Sequence, residues 1–99
     1  MQLLTDELRQ QLPALGATEG QLDPLAVAKY FTPDGNWTWW ATEFDGDDTF
    51  FGAVNGHCFE LGYFSLAELQ ELRGPWGLPI ERDLYFKPTP LSQIRREYA

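Results

Sequence analysis

Two stretches of the chain gather side chains that could do chemistry. In Thr42–Phe50, TEFDGDDTF, Glu43, Asp45, Asp47 and Asp48 place four carboxylates within six residues. A little further on, the only histidine and the only cysteine, His57 and Cys58, are neighbours. A calcium loop counted from Asp45 requires acids at alternating positions, glycine at its sixth and glutamate at its twelfth. Thr49, Phe50 and Gly56 stand at the fifth, sixth and twelfth positions, so that pattern fails. One histidine and one cysteine cannot build a zinc site, and neither a metal nor a cofactor is expected. In an extended segment His57 and Cys58 point to opposite faces, which works against a thiolate–imidazole couple. Glu43 and Glu60, on neighbouring strands, could act as a carboxyl pair across a Trp-lined cleft, the arrangement of a small hydrolase or carbohydrate-acting protein. Phosphate-binding glycine loops are absent: the chain has neither a G-x-x-x-x-G-K-[ST] nor a G-x-G-x-x-G run.

These residues need elements to position them. The N-terminal segment reads as a short helix, with Thr5 as cap, Asp6 and Glu7 at its positive end, Leu8 and Leu12 on one face, and Pro13 and Gly16 ending it. Gly16–Pro24 is a loop. Four strands then follow: 25–32, 37–44, 49–56 and 58–64. The turns between them are Pro33–Asn36, Asp45–Asp48 and Asn55–His57, with Asp-Gly and Asn-Gly as hairpin signals. In strand 37–44, strict alternation puts Trp37 and Trp39 on one face and Trp40 and Phe44 on the other. Gly52 suggests a bulge or a close backbone approach. Ser65 and Glu68 form a capping box for a helix with Leu66, Leu69 and Leu72 as its apolar stripe, stopped by Gly74 and Pro75. Residues 81–86 are a short strand or extended, and 91–99 form a last helix with Arg95 and Arg96 at its C-terminal end. The expected fold is a single α+β domain over residues 1–99: an antiparallel four-stranded β-meander with an N-terminal helix, and C-terminal helices packed on one face.

Composition narrows the function. The chain has 99 residues, 15 acids against 7 Lys and Arg, and a formal charge of −8. Phosphate contacts need Lys and Arg, so direct binding to nucleic acid or an anionic membrane is not expected. The charge is uneven: Met1–Leu72 holds twelve acids and two bases, Arg73–Ala99 three acids and five bases. One cysteine fits a reducing cytoplasm, and the first residues lack the basic start and apolar run of a signal peptide. A monomer is expected over an oligomer.

Three segments, KYFTPDGNWTWWATEFDGDDTFFGAVNG (29–56), ELGYFSLAELQELRG (60–74) and GLPIERDLYF (77–86), carry a resemblance. By these the chain resembles the small bacterial proteins grouped as domain of unknown function 2958. The resemblance covers nearly the whole chain and implies a setting on plasmids, phages and other mobile elements. It implies no reaction and transfers no site residue. Together with the acidic surface, that setting leads to the expectation of a non-enzymatic inhibitor of a host defence system, of the anti-CRISPR or antirestriction kind. Such a protein would act as a nucleic-acid mimic, because a duplex presents a charge about every 1.7 Å along its axis. Its expected partner is the basic surface of a nucleic-acid-binding protein, and its expected contacts are Asp34, Glu43, Asp45, Asp47, Asp48 and Glu60, with Trp37 or Trp40 as an aromatic hot spot if exposed. An accessory subunit docking through exposed aromatics is the remaining alternative.

Overall fold

The alternation of the aromatic strand is reset part-way along it. In the computed structural model, which describes residues 1–98, strand β3 (Thr38–Phe44) pairs antiparallel with β4 (Thr49–Asn55). Ala41 lies opposite Gly52 and Glu43 opposite Phe51, which leaves Thr42 as one extra residue, a β-bulge. The bulge is held from within: the Thr42 hydroxyl donates to the Phe51 carbonyl oxygen at 2.9 Å. Before it, Trp39 and Trp40 point to opposite faces. After it the phase is inverted, so Phe44 joins Trp39 on one face and Glu43 joins Trp40 on the other. The expectation that Phe44 shares a face with Trp40 is therefore corrected.

The expected meander is present as β2 (Ala28–Phe31), β3, β4 and β5 (Phe59–Ser65). A fifth antiparallel strand, β6 (Glu81–Arg82), adds beside β2 to give the order β5-β4-β3-β2-β6. The segment 25–32 does not run as one strand. Its first residues, β1 (Leu25–Ala26), form a separate two-stranded ribbon with β7 (Thr89–Pro90). The turns fall where expected: Asp-Gly closes the β3–β4 hairpin with Gly46 at φ 88°, and Pro33–Asn36 closes β2–β3.

Helices cover both faces, not one. On the first face, α1 (Asp6–Gln11) and α2 (Leu66–Glu71) seal a core of Tyr30, Trp39, Phe44, Phe50 and Phe64 with Leu4, Leu12 and Leu69. On the second, α3 (Leu91–Tyr98) lays Ile94 over Trp40, Ala26 and Ala53. Trp39 and Trp40 are adjacent, so each needs its own cover; each fully buried side chain such as Phe50, Leu69 or Ile94 contributes ~1.5–3 kcal/mol. Thr5 caps α1, its hydroxyl accepting from the Leu8 N–H at 3.2 Å. Ser65 caps α2, accepting from the Glu68 N–H at 3.2 Å.

Gly52 shows what the bulge requires of its neighbour. A Cβ there would fall 1.8 Å from the Trp40 carbonyl oxygen, a backbone atom that cannot swing aside. Gly62, opposite it on β5, has nothing within 4 Å of such a Cβ. Gly52→Ala should therefore cost about 1–3 kcal/mol or more of stability in urea unfolding, whereas Gly62→Ala should stay within about 0.5 kcal/mol of the parent. Equal effects would contradict the close approach.

Candidate interaction surfaces

The bulge gives Glu43 a structural task. Glu43 is 4% exposed and faces the loop that follows α1. Its Oε1 accepts from the Gly16 N–H at 2.7 Å, and its Oε2 accepts from the Thr18 N–H at 2.9 Å and from the Thr18 hydroxyl. Burial alone would raise this carboxyl's pKa. The Thr18 hydroxyl and the Gly16 and Thr18 amides outweigh it and hold the group below the ordinary glutamate range. Glu43 is thus the anchor of the Gly16–Thr18 loop and not a surface contact.

The Asp45–Asp48 turn is closed by internal hydrogen bonds, and its acids are partly engaged. Asp45 Oδ1 accepts from the N–H groups of Asp47 (2.8 Å), Asp48 (2.9 Å) and Thr49 (3.0 Å). These amides hold its pKa down, that of Asp47 most strongly. Asp48 reaches across to α2, accepting from the Ser65 hydroxyl at 2.5 Å and the Ala67 N–H at 2.8 Å. It satisfies an open donor of that helix beside the Ser65 cap. Asp47 is exposed, and its carboxylate accepts no hydrogen bond from the described residues. Arg9 stands close by, donating to the Gly46 carbonyl oxygen at 3.1 Å over the Phe44 ring. Because Asp48 ties the turn to α2, exposed Glu68 joins this acidic end. Sequence reading assigned Glu68 to a capping box only; the long-range Asp48–Ser65 bond that brings it here leaves no local signal.

The remaining expected contacts lie elsewhere. Asp34, in the β2–β3 turn, sits at the opposite end of β3, about 20 Å away at ~3.3 Å per residue. Its Oδ2 accepts from the Trp76 N–H at 2.7 Å and the Leu78 N–H at 3.2 Å, fixing the loop after α2. Gly74 packs so closely on this carboxylate that a Cβ would lie 1.6 Å from Oδ1. Glu60 is exposed on β5 opposite Val54, whose side chain packs on the Trp39 face. Glu60 and Glu43 therefore face opposite sides of the sheet, and the expected carboxyl pair across one cleft is corrected. The six acids do not form one array: three share the β3–β4 turn, Glu43 is buried, and Asp34 and Glu60 lie towards the other end.

The two tryptophans also separate. Trp40 is 1% exposed, packed edge-on against Tyr98 with ring centroids 4.8 Å apart, so it is core and its expected role as a contact is corrected. Trp37 is exposed, at 37%, edge-to-face with His57 at 5.6 Å and 6.0 Å from Trp39. The most exposed tryptophan is Trp76, 85% exposed on the loop pinned by Asp34. Cys58 has Glu60 as its partner, the thiol donating to Oε1 at 3.0 Å. That hydrogen bond, then burial and the Glu60 charge, raises the thiol's pKa, which is opposite to the activation a nucleophile needs. Among the described residues no group of three or more His, Cys, Asp or Glu could hold a metal ion.

The second face carries an open cleft of about 700 Å³ between the Gly16–Pro24 loop and α3. Its floor is Phe51, Phe59, Leu61 and Tyr63 from β4 and β5, and Arg95 and Arg96 line its α3 wall. The Arg95 guanidinium lies over the Phe59 ring at 5.4 Å.

A family model described as "Protein of unknown function (DUF2958)" matches residues 3–97. The chain belongs to this family. No curated protein and no solved structure matches it. Membership of DUF2958 takes in every surface described above, from α1 to α3. No helix among the described residues of this DUF2958 chain is long and apolar enough to cross a membrane.

Two measurements follow from this geometry. Glu43→Gln replaces one acceptor oxygen by an NH2 facing a donor and should cost about 1–3 kcal/mol at neutral pH. The folded pKa of Glu43 lies below its unfolded value, so its contribution is complete above about pH 4.3 and is lost as pH falls through the folded pKa. The stability gap between parent and variant, read from urea unfolding, should close in that acid window. Alkylation of Cys58 at pH 8 should run slower than that of an unperturbed thiol, and Glu60→Gln should accelerate it.

Proposed function

We propose that this protein is a non-enzymatic interaction protein that binds a basic surface of its partner, and that the partner is a nucleic-acid-binding defence protein whose activity it inhibits. One observation carries the reading. Against a formal charge of −8, the described residues contain a single ion pair within 4 Å, Lys29 with Asp83 at 3.7 Å. Apart from buried Glu43, the acids are exposed or partly exposed, so the negative charge faces outward, where it steers and holds a cationic partner. The hydrogen-bonded β3–β4 turn supports the same reading, because acids held in place lose little freedom on binding. The setting on mobile DNA implied by the family resemblance supports a defence protein as the partner. Mimicry of a duplex by Asp34, Glu43, Asp45, Asp47, Asp48 and Glu60 as one array is not part of the proposal.

Exposed Trp76 favours a second reading, an accessory subunit docking through aromatics, since a tryptophan on a fixed loop is a strong anchor. Under that reading Trp76→Ala abolishes partner binding and salt has little effect.

The test needs acids that do no internal work, which excludes Asp45 and Asp48. Asp47→Lys, Glu68→Lys and Glu71→Lys combined change three exposed carboxylates that accept no hydrogen bond among the described residues. Captured on the parent protein from the native bacterial host at low salt, the partner should elute in a salt gradient. The triple variant, with unchanged thermal unfolding, should bind it and inhibit it at least about tenfold more weakly. Full binding and inhibition by a folded triple variant would overturn the proposal.

A further inference from the structure

The two edges of the five-stranded sheet are treated differently. At one edge β6 is two residues long, and the N-terminus covers it: the Arg82 N–H meets Met1 Sδ at 3.1 Å, and its Nε donates to the Gln2 carbonyl oxygen at 3.1 Å. At the other edge β5 is seven residues long and pairs with β4 in unbroken register from Phe59 to Ser65. Alternate residues of such a strand turn their N–H and C=O groups away from the sheet, and no described segment pairs with them. Sheet edges are ordinarily blunted by lysine, proline, a bulge or a covering segment. FELGYFS contains none of the first three and carries a single charge, Glu60, and Leu61 and Tyr63 on it are 48% and 71% exposed.

The side chains beside this edge sort by face. Phe59, Leu61 and Tyr63 point to the second face, where with Phe51 they floor the open cleft. Glu60 points to the first face, the side on which α2 presents exposed Glu68 and Glu71. An added strand would meet an apolar floor on one side and carboxylates on the other. We infer that the open edge of β5 receives an extended peptide segment of the partner, with apolar residues alternating with lysine or arginine. Main-chain pairing supplies the affinity, and the two faces read the alternation. A second copy of this chain fits less well, since it would bring another Glu60 and another charge of −8 to the same edge.

This inference rests on the reading of a basic partner, and its test separates the two. The probe is a seven-residue peptide of alternating lysine and valine with blocked ends. Its control is the same peptide N-methylated at alternate amides, which keeps every side chain and charge but removes N–H donors. The alternating peptide should shift the amide resonances of Phe59–Ser65 and slow their hydrogen exchange. N-methylation should weaken binding at least about tenfold, and so should Leu61→Lys, a change at a half-exposed position. Glu60→Gln, which leaves the strand's shape intact, should weaken it by a smaller factor that disappears at high salt. Equal binding of the N-methylated peptide would overturn edge pairing while leaving the basic-partner reading intact. So would resonance shifts confined to the Asp47 turn or the Trp76 loop. Sedimentation showing a dimer that already buries β5 would overturn it in favour of a second copy.

Discussion

A single extra residue, Thr42, decides what each later side chain of β3 can do. Because side chains alternate along a strand, one inserted residue inverts every position beyond it. Here it sends Phe44 into the core beside Phe50, with ring centroids 4.6 Å apart, and brings Glu43 to the face where the Gly16–Thr18 loop waits with two amides and a hydroxyl. Without the inversion an apolar ring would face that loop and a carboxylate would enter the aromatic core. The loop in turn forms one wall of the open cleft. Core, loop and cleft thus depend on a bulge that Gly52 alone permits, since any Cβ there meets the Trp40 carbonyl.

The same economy governs the acids. A carboxylate that accepts two or three bonds from amides and hydroxyls is a fastener, and this small domain uses several. Asp45 closes its own turn, Asp48 joins that turn to α2, Asp34 fixes the Trp76 loop, and Asp23 accepts from the Ser92 N–H and hydroxyl at the start of α3. The Asp45 bonds are local, whereas those of Asp48, Asp34 and Asp23 join segments distant in sequence, in a chain with no disulfide and one ion pair among the described residues. Such fasteners keep their negative charge while they work. The surface therefore stays acidic even where individual carboxylates are engaged, and the charge relevant to a partner belongs to the whole face.

Much of the fold was legible in sequence because its signals are local. Thr5 and Ser65 as caps, Asp-Gly at the β3–β4 turn, and the alternation of Phe59, Leu61 and Tyr63 need only a few neighbouring residues to be read. The fifth strand was harder, because Glu81–Arg82 pairs with β2 only through long-range contact. The helices' distribution over two faces also escaped, since it follows from Trp39 and Trp40 both needing cover. At the candidate site the type of residue was legible and its task was not. Glu43 reads like Asp47 in the sequence; the bulge makes one a buried anchor and leaves the other in solvent. Trp40 and Trp76 were likewise inseparable by type, and tertiary packing buries one and exposes the other.

The division of labour among the carboxylates is most directly measured by a pH titration of their side-chain carboxyl 13C resonances. Glu43 and Asp45 are held by amide donors, so both should titrate below the ordinary range for their types. A Glu43 that titrates at or above the ordinary glutamate value would mean that the loop does not clasp it. The account of bulge, loop and cleft would then fall together.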